Sequence, residues 1–231
     1  MREPILFLPD AMTDLRLFEP QIAALSGQYA VMSAPLSTCD RIENFASDLL
    51  SVLPPRIAVV GQGLGGTVAL ELVRRAPNRV TRLALVGTSF QPDTPAEATA
   101  REPQMVAASA GRFEEIARGF VGQAGYGPGA ERVAVQAALL RMALDLGPSV
   151  FRTQSRALQK RRDQQPVLRQ IAGPVLLLGG RHDKLCPPKR LEFMAELMDS
   201  DPPEILEQSG RYPSLEEPQA VTEALRGWLA R

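Results

Sequence analysis

The sequence predicts an α/β fold: a mostly parallel sheet of about six strands, with helices on both faces and a helical cap insertion. Three observations predict this fold class. Short apolar runs alternate with longer helical patterns, which is typical of βαβ units and of a sheet buried on both faces. One long stretch breaks the alternation and contains helical patterns only. The length of 231 residues also suits a single domain of this class.

Six short apolar runs are the candidate strands. Each has the length of a buried strand and is followed by turn-forming or polar residues. The runs cover residues 5–9, 29–34, 57–61, 83–88, 175–179 and 204–207.

Helical patterns lie between and after these runs. The last of them carries Val221, Leu225 and Trp228 at helical spacing, and we interpret such apolar stripes as core. The predicted helices cover residues 17–25, 42–53, 64–75, 188–198 and 218–229.

The stretch from residue 91 to 169 has no convincing strand, and glycine interrupts it at residues 111, 125–128 and 147. We interpret 91–169 as a helical cap on the carboxyl edge of the sheet, with 1–90 and 170–231 forming the core. Ligands bind at that edge in open parallel sheets, so the cap would cover a pocket. Its larger apolar residues would suit an apolar ligand or would serve as core: Phe113, Ile116, Phe120, Met142 and Phe151.

Composition excludes several classes of function. Lys+Arg and Asp+Glu both total 26, so the formal charge is zero and no basic face for nucleic acid is predicted. The one basic cluster, residues 160–162, is predicted to be a solvated helix end. His182 is the single histidine, which excludes two-histidine metal sites. We expect no metal, no cofactor and no nucleic-acid partner.

The cysteines and the first apolar run lead to expectations about the cellular compartment. Cys39 and Cys186 form no CxxC pair, so we expect two free thiols in a reducing compartment. The first apolar run has five residues and ends at Pro and Asp, which is too short for a signal-peptide core or a membrane span. We therefore expect a cytoplasmic protein without a membrane partner.

A glycine-rich turn, residues 61–66 (GQGLGG), joins a candidate strand to a helical pattern. Gly61, Gly63 and Gly66 match the GxGxxG dinucleotide loop, a weak signal by itself. That loop usually follows the first strand, with an acidic residue about 20 positions later, where this chain has residues 79–81 (RVT). The competing interpretation is the nucleophile elbow, Gly-x-Ser-x-Gly.

Four segments, in order along the chain, resemble the α/β-hydrolase fold superfamily in its small esterase-like branch. They are LFLPD at the start, VVGQGLGG at the turn, PVLLLGGRHDKLCPP at the acid loop and SGRYPSLEEPQAVTEALRGWL at the histidine loop and last helix. The branch typically has VGHSMGG at the turn. The resemblance extends over nearly the whole chain and implies the α/β-hydrolase fold and a carboxylesterase-like ancestry.

The resemblance also assigns the catalytic triad, position by position. The nucleophile position holds Gly63, the acid position Asp183 and the histidine position Arg211, so only the acid is retained. Acyl transfer through a triad needs an oxygen nucleophile and a base that is partly neutral near pH 7. Glycine supplies no nucleophile, and arginine cannot accept a proton at that pH.

The oxyanion side of the site is altered as well, and Asp10, Ala11 and Leu64 are the candidate ligand-binding residues. The loop after the first strand usually begins Leu-Pro-Gly but has Asp10 here, whose charge would repel an oxyanion. The helix beginning near Leu64 is expected to direct unpaired N–H groups at the pocket. With Arg211 nearby, these groups would suit a small carboxylate or phosphate ligand. Asp10 and Asp183 outnumber Arg211, however, which predicts a neutral to negative pocket and weighs against an anion site.

Other residues are poor substitutes for the triad. His182 adjoins Asp183 and is expected to point away from the turn. Cys186 has no evident partner that would lower its pKa. Arg211 is expected close to Asp183, in a pair that Asp10 could join. Glycine at position 63 would relieve the positive-φ strain of an elbow.

Three functional hypotheses follow. The first is a catalytically inactive relative of the α/β hydrolases, retained to bind a small apolar or ester-like molecule or a protein. The second is a carboxylic-ester hydrolase or a lyase that uses a non-standard site. The third is an altered form of an active esterase. Turnover of a short-chain activated ester discriminates among them.

Overall fold

A computed structural model describes residues 2–129 and 131–231. Six strands form one sheet in the order β2-β1-β3-β4-β5-β6, and every neighbouring pair is parallel. The predicted fold class is confirmed, and each candidate run overlaps a strand, although β4 begins three residues before its predicted run. The strands are β1 (Ile5–Leu8), β2 (Val31–Ser33), β3 (Ile57–Gln62), β4 (Val80–Val86), β5 (Val175–Gly180) and β6 (Glu204–Leu206).

Helices connect the strands and cover the sheet. A short 3₁₀ helix, Leu15–Phe18, precedes the first α-helix, and a π-helical segment, Ala108–Arg112, joins the fourth and fifth. The α-helices are α1 (Glu19–Leu25), α2 (Ile42–Val52), α3 (Leu64–Arg75), α4 (Pro95–Ala107), α5 (Phe113–Gln123), α6 (Arg132–Lys160), α7 (Gln165–Leu168), α8 (Pro188–Met198), α9 (Pro213–Glu216) and α10 (Pro218–Leu229).

The core has one layer on each face of the sheet. Alternate strand residues point to opposite faces, so Leu6 and Leu8 pack with α2, α3 and α8, while Ile5 and Phe7 pack with α1 and α10. All four side chains are buried. Burial on both faces explains why the strands are continuous apolar runs rather than alternating ones.

The cap consists of α4, α5 and α6, between β4 and β5 in the chain. Gly147, with a φ of 79°, and Pro148 break α6 where the sequence predicted an interruption. Gln154 of α6 fastens the cap over the carboxyl ends of the first strands. Its side chain accepts the N–H of Met12 at 2.8 Å and donates to the Leu36 carbonyl at 3.0 Å.

The last part of the 91–169 stretch packs with the sheet layers, because Val167 and Leu168 of α7 belong to the same buried cluster as α3 and α8. By length and composition alone, α6 could cross a membrane. Core helices can have the same composition; 22% of the most apolar window of α6 is buried inside the protein, and the buried residues of α6 include Leu139, Met142 and Phe151.

Candidate active site

The turn after β3 has the geometry of an elbow between a strand and a helix. Gly63 follows β3 directly, has φ 51° and ψ −111°, and precedes α3. Its N–H donates to the Val86 carbonyl at 3.1 Å, and its carbonyl accepts the N–H of Thr67 at 3.1 Å. A side chain at position 63 would be strained in this conformation, so glycine relieves the strain as predicted.

The space that a side chain at position 63 would need is already filled. A Cβ atom added to Gly63 would overlap Asp10 Oδ1 and Arg211 Nη2. Both side chains are buried, with 3% and 7% of their residue surfaces exposed. The elbow therefore carries no side chain of its own, and an ion pair from two distant loops lies over it.

The Asp10 carboxylate is held by four hydrogen bonds. Oδ1 accepts the N–H groups of Ala11 at 2.7 Å and Leu64 at 2.9 Å. Oδ2 accepts Nη2 of Arg211 at 2.7 Å and Nε at 3.0 Å. Two amides that converge on one oxygen have the geometry of an oxyanion hole, and here that oxygen belongs to the protein.

These contacts correct one expectation about the oxyanion side. Asp10, Ala11 and Leu64 do lie together, but the N–H group of Leu64 is not unpaired, because Asp10 accepts it. The carboxylate occupies the place of the negative oxygen instead of standing beside it. A buried carboxylate needs such donors, since an uncompensated charge is costly away from water.

Arg211 forms the centre of the cluster. In addition to Asp10, its guanidinium donates through Nη1 to the Gly87 carbonyl and to Asp183 Oδ2, the latter at 3.4 Å. The expected Arg211–Asp183 contact is therefore present, and Asp10 is the closer partner. Burial by itself would lower the pKa of Arg211, but the charges of Asp10 and Asp183 outweigh burial and raise it. Arg211 stays protonated.

Asp183 lies in the loop after β5, where the resemblance places the acid. Its Oδ1 accepts the N–H groups of Leu185 at 2.8 Å and Cys186 at 2.9 Å. Burial raises the pKa of Asp183, although Arg211 and the two amides act in the opposite direction.

His182 and Cys186, the two candidate substitutes for the triad, are not placed to act as a base or a nucleophile. His182 is exposed, and its backbone N–H donates to the Ser209 carbonyl at 3.0 Å. Cys186 is buried, and its thiol contacts the Thr88 carbonyl at 3.3 Å. Burial, followed by the charge of Asp183, raises the pKa of Cys186 to about 12, so the thiol stays protonated near pH 7.

The loop that presents Arg211 is fixed mainly by Glu216 of α9. One oxygen of its carboxylate accepts the N–H groups of Gly127 at 2.7 Å and Gly210 at 3.0 Å, and the other accepts that of Tyr212 at 2.9 Å. The carboxylate thus ties the cap loop at residue 127 to the loop at 210–212.

A cavity of about 130 Å³ lies above this cluster, between the cap and the sheet. Four arginines and three carboxylates line it, which corrects the expectation of a neutral to negative pocket. Of the apolar cap residues selected from the sequence, only Phe120 lines it. The lining residues are Asp10, Ala11, Gly63, Leu64, Ser89, Asp93, Glu97, Arg101, Phe120, Leu158, Arg161, Leu185, Arg190 and Arg211.

A second buried ion cluster lies on the cap side of the cavity. Asp93, with a side chain only 1% exposed, binds Arg101 at 2.6 Å and Arg161 at 2.8 Å. The prediction that residues 160–162 form a solvated helix end is therefore wrong for Arg161, whose side chain is 17% exposed. Burial lowers the pKa of Arg161, and its buried Nε has no hydrogen-bond partner among the described residues.

A family model described as "Alpha/beta hydrolase family" matches residues 15–224. This chain belongs to the alpha/beta hydrolase family. It is also 30% identical over 203 residues to the pimeloyl-[acyl-carrier protein] methyl ester esterase of Aromatoleum aromaticum, which covers 77% of this chain and 76% of that protein.

Solved structures agree with the fold of this alpha/beta hydrolase. A thermophilic esterase from Thermogutta terrifontis matches with a TM-score of 0.88 and 22% identity, covering 99% of this chain and 89% of that chain. The enol-lactonase from Burkholderia xenovorans LB400 matches with a TM-score of 0.83 and 21% identity, covering 100% and 93%. At these identities the matches establish the fold only.

Sequence reasoning about this hydrolase-family chain missed Glu216 and Asp93. Glu216 has a visible signal, because a Pro-x-x-Glu segment follows the loop that contains Arg211. Asp93 has none, since its partners Arg101 and Arg161 lie 8 and 68 residues further along the chain.

Proposed function

We propose that this chain is a catalytically inactive member of the alpha/beta hydrolase family, retained to bind a small molecule in the cavity between cap and sheet or a protein. One observation carries the proposal. The Asp10 carboxylate fills the space above Gly63 and takes up the two amides that would bind an oxyanion.

Displacing Asp10 to admit an ester would be costly. The carboxylate would lose four hydrogen bonds, and Arg211 would be left buried with the more distant Asp183 as its remaining carboxylate. Removing one partner of a buried ion pair typically costs about 3–5 kcal/mol. The oxyanion site is thus closed by the protein's own structure.

The residual activity typical of damaged hydrolases is not expected here. Enzymes that lose a triad member often keep an acceleration of roughly 10³–10⁴ over water, which comes from the oxyanion hole and substrate binding. This residual acceleration needs free amide donors, and the N–H groups of Ala11 and Leu64 already donate to Asp10.

The alternative is hydrolysis of a carboxylic ester, or a lyase reaction, through a non-standard site. The identity to a methyl ester esterase favours this alternative. Ser89 lines the cavity, but its hydroxyl accepts the N–H of Gln91 at 3.2 Å and donates to no side chain among the described residues.

The test is hydrolysis of p-nitrophenyl butyrate by the chain as it stands and by the triple variant Asp10→Gly, Gly63→Ser, Arg211→His. We expect the unaltered chain to match the uncatalysed rate and the triple variant to exceed it. The matched control carries Asp10→Gly, Gly63→Ala and Arg211→His, which lacks only the hydroxyl, and should return to background.

Clear turnover by the unaltered chain would overturn the proposal. If that turnover survived both Asp183→Ala and Cys186→Ala, the reaction would run through residues outside the cluster described above. Loss of turnover in one of these variants would instead identify the residue on which the non-standard site depends.

A further inference from the structure

On the cap side of the cavity, two arginines depend on one carboxylate for their close ion pairs. Asp93 is shared between Arg101 and Arg161, one carboxylate for two guanidinium groups. Glu97 also lines the cavity, and its charge acts on both arginines, but its carboxylate caps α4 by accepting the N–H of Thr94 at 2.7 Å and forms no ion pair among the described residues.

Arg161 has a donor that the described part of the protein does not use. Its Nε is buried without a hydrogen-bond partner among the described residues, and burial lowers the pKa of its guanidinium despite the contact with Asp93. A buried charged donor without an acceptor is unfavourable unless another acceptor is supplied.

Helix α8 supplies a second cation to the cavity lining. Arg190 of α8 lines the cavity, and its guanidinium donates through Nη1 to the Leu185 carbonyl at 2.9 Å. Within the part of the chain that the structure describes, Arg190 forms no ion pair. Arg211 is not available in the same way, because Asp10 already holds it.

Part of the wall is apolar, and the small volume limits the size of a ligand. Leu64, Phe120, Leu158 and Leu185 line the cavity beside the arginines. A volume of about 130 Å³ corresponds to roughly four water molecules at about 30 Å³ each. A short hydrocarbon chain with one anionic end fits both the size and the lining, whereas phosphate has no apolar part to place.

We propose that this cavity binds a small organic carboxylate, with its carboxylate between Arg161 and Arg190 and its hydrocarbon part against Phe120 and Leu158. Guanidinium groups match the carboxylate geometry with paired N–H donors. This inference rests on the proposed binding function and specifies the class of ligand.

The experiment is calorimetric titration of the full chain with butyrate at constant ionic strength, with neutral butyramide and inorganic phosphate as comparison ligands. We expect butyrate to bind more tightly than phosphate, and butyramide not to bind. Arg190→Met should weaken butyrate binding about tenfold or more, as expected for the loss of a charged donor.

Lys189→Met is the matched control, because Lys189 neighbours Arg190 on α8, carries the same charge and does not line the cavity. It should change butyrate binding less than about twofold, a small fraction of the effect at Arg190. An equal loss in both variants, no butyrate binding, or tighter binding of phosphate would overturn the inference.

The outcomes also separate this inference from the proposed function. No butyrate binding by a chain that does not hydrolyse p-nitrophenyl butyrate would overturn the carboxylate site and leave the inactive family member in place. Butyrate binding by a chain that does hydrolyse the ester would overturn the inactivity and support the carboxylate site.

Discussion

Asp10 and Asp183 have the same backbone hydrogen-bonding pattern but bind Arg211 at different distances. Each follows a strand at the carboxyl edge, each is buried, and each uses Oδ1 to accept two backbone N–H groups. Each directs Oδ2 at Arg211, but the contact is 2.7 Å for Asp10 and 3.4 Å for Asp183.

The comparison shows which residue organises the cluster. Asp183 is the acid that the resemblance retains, yet it is the weaker partner of Arg211. Asp10, a departure from the family pattern, binds Arg211 through two nitrogens and also takes up the amides of Ala11 and Leu64. The site is better described as an ion pair built around Asp10 than as a triad that has lost two members.

Removal of the two carboxylates is expected to break the cluster to different extents. Asp10→Ala should destabilise the fold by about 3–5 kcal/mol, because Arg211 loses its close partner in a buried site. Asp183→Ala should cost about 1–3 kcal/mol, mainly for two amides left without an acceptor. Urea denaturation measures both, and a larger loss for Asp183→Ala would contradict the ranking.

A side chain introduced at position 63 tests whether the Asp10–Arg211 ion pair fills the space above the elbow. Gly63→Ser should cost about 1–3 kcal/mol for the positive φ, plus the cost of displacing Asp10 and Arg211. Gly111→Ser is the control for a positive φ without the overlap, since Gly111 has φ 85° and open space around it, although its ψ of 3° differs from the −111° of Gly63.

The part of the stability cost of Gly63→Ser that comes from overlap should depend on Asp10. In an Asp10→Gly background, the cost of Gly63→Ser should fall toward that of Gly111→Ser, with a coupling of roughly 1 kcal/mol or more. Equal costs of Gly63→Ser in the two backgrounds would show that Asp10 does not occupy the serine position.

The smallest expected effect is a pH dependence from Asp183. Burial raises its pKa in the folded protein above the ordinary value of 3.8, so the folded chain binds more protons than the unfolded chain between these two values. Stability should therefore fall as the pH rises through that window. The free energy of unfolding, measured at a series of pH values for the unaltered chain and for Asp183→Asn, isolates this contribution. If the unaltered chain gained stability relative to Asp183→Asn as the pH rises, the prediction would be contradicted.

Periodicity and apolar runs predicted the sheet and the five helices α1, α2, α3, α8 and α10 that pack on it, because burial on both faces leaves a strong local pattern. The contact between Arg211 and Asp183 was also predictable, since the resemblance brings both loops to one place. The dominant role of Asp10 was not, because it depends on how the loop after β1 turns its side chain over Gly63, 201 residues away from Arg211. Arg161 was missed because its helix-end position hides a tertiary partner, Asp93.

The most direct test is a comparison of two variants in p-nitrophenyl butyrate hydrolysis: Gly63→Ser with Arg211→His, and the same pair with Asp10→Gly added. The introduced serine and the Asp10 carboxylate compete for the same space above position 63. The account therefore predicts that the double variant stays at the uncatalysed rate and that only the triple variant turns over, with circular dichroism confirming that both are folded. Equal turnover by the double and triple variants would contradict the account.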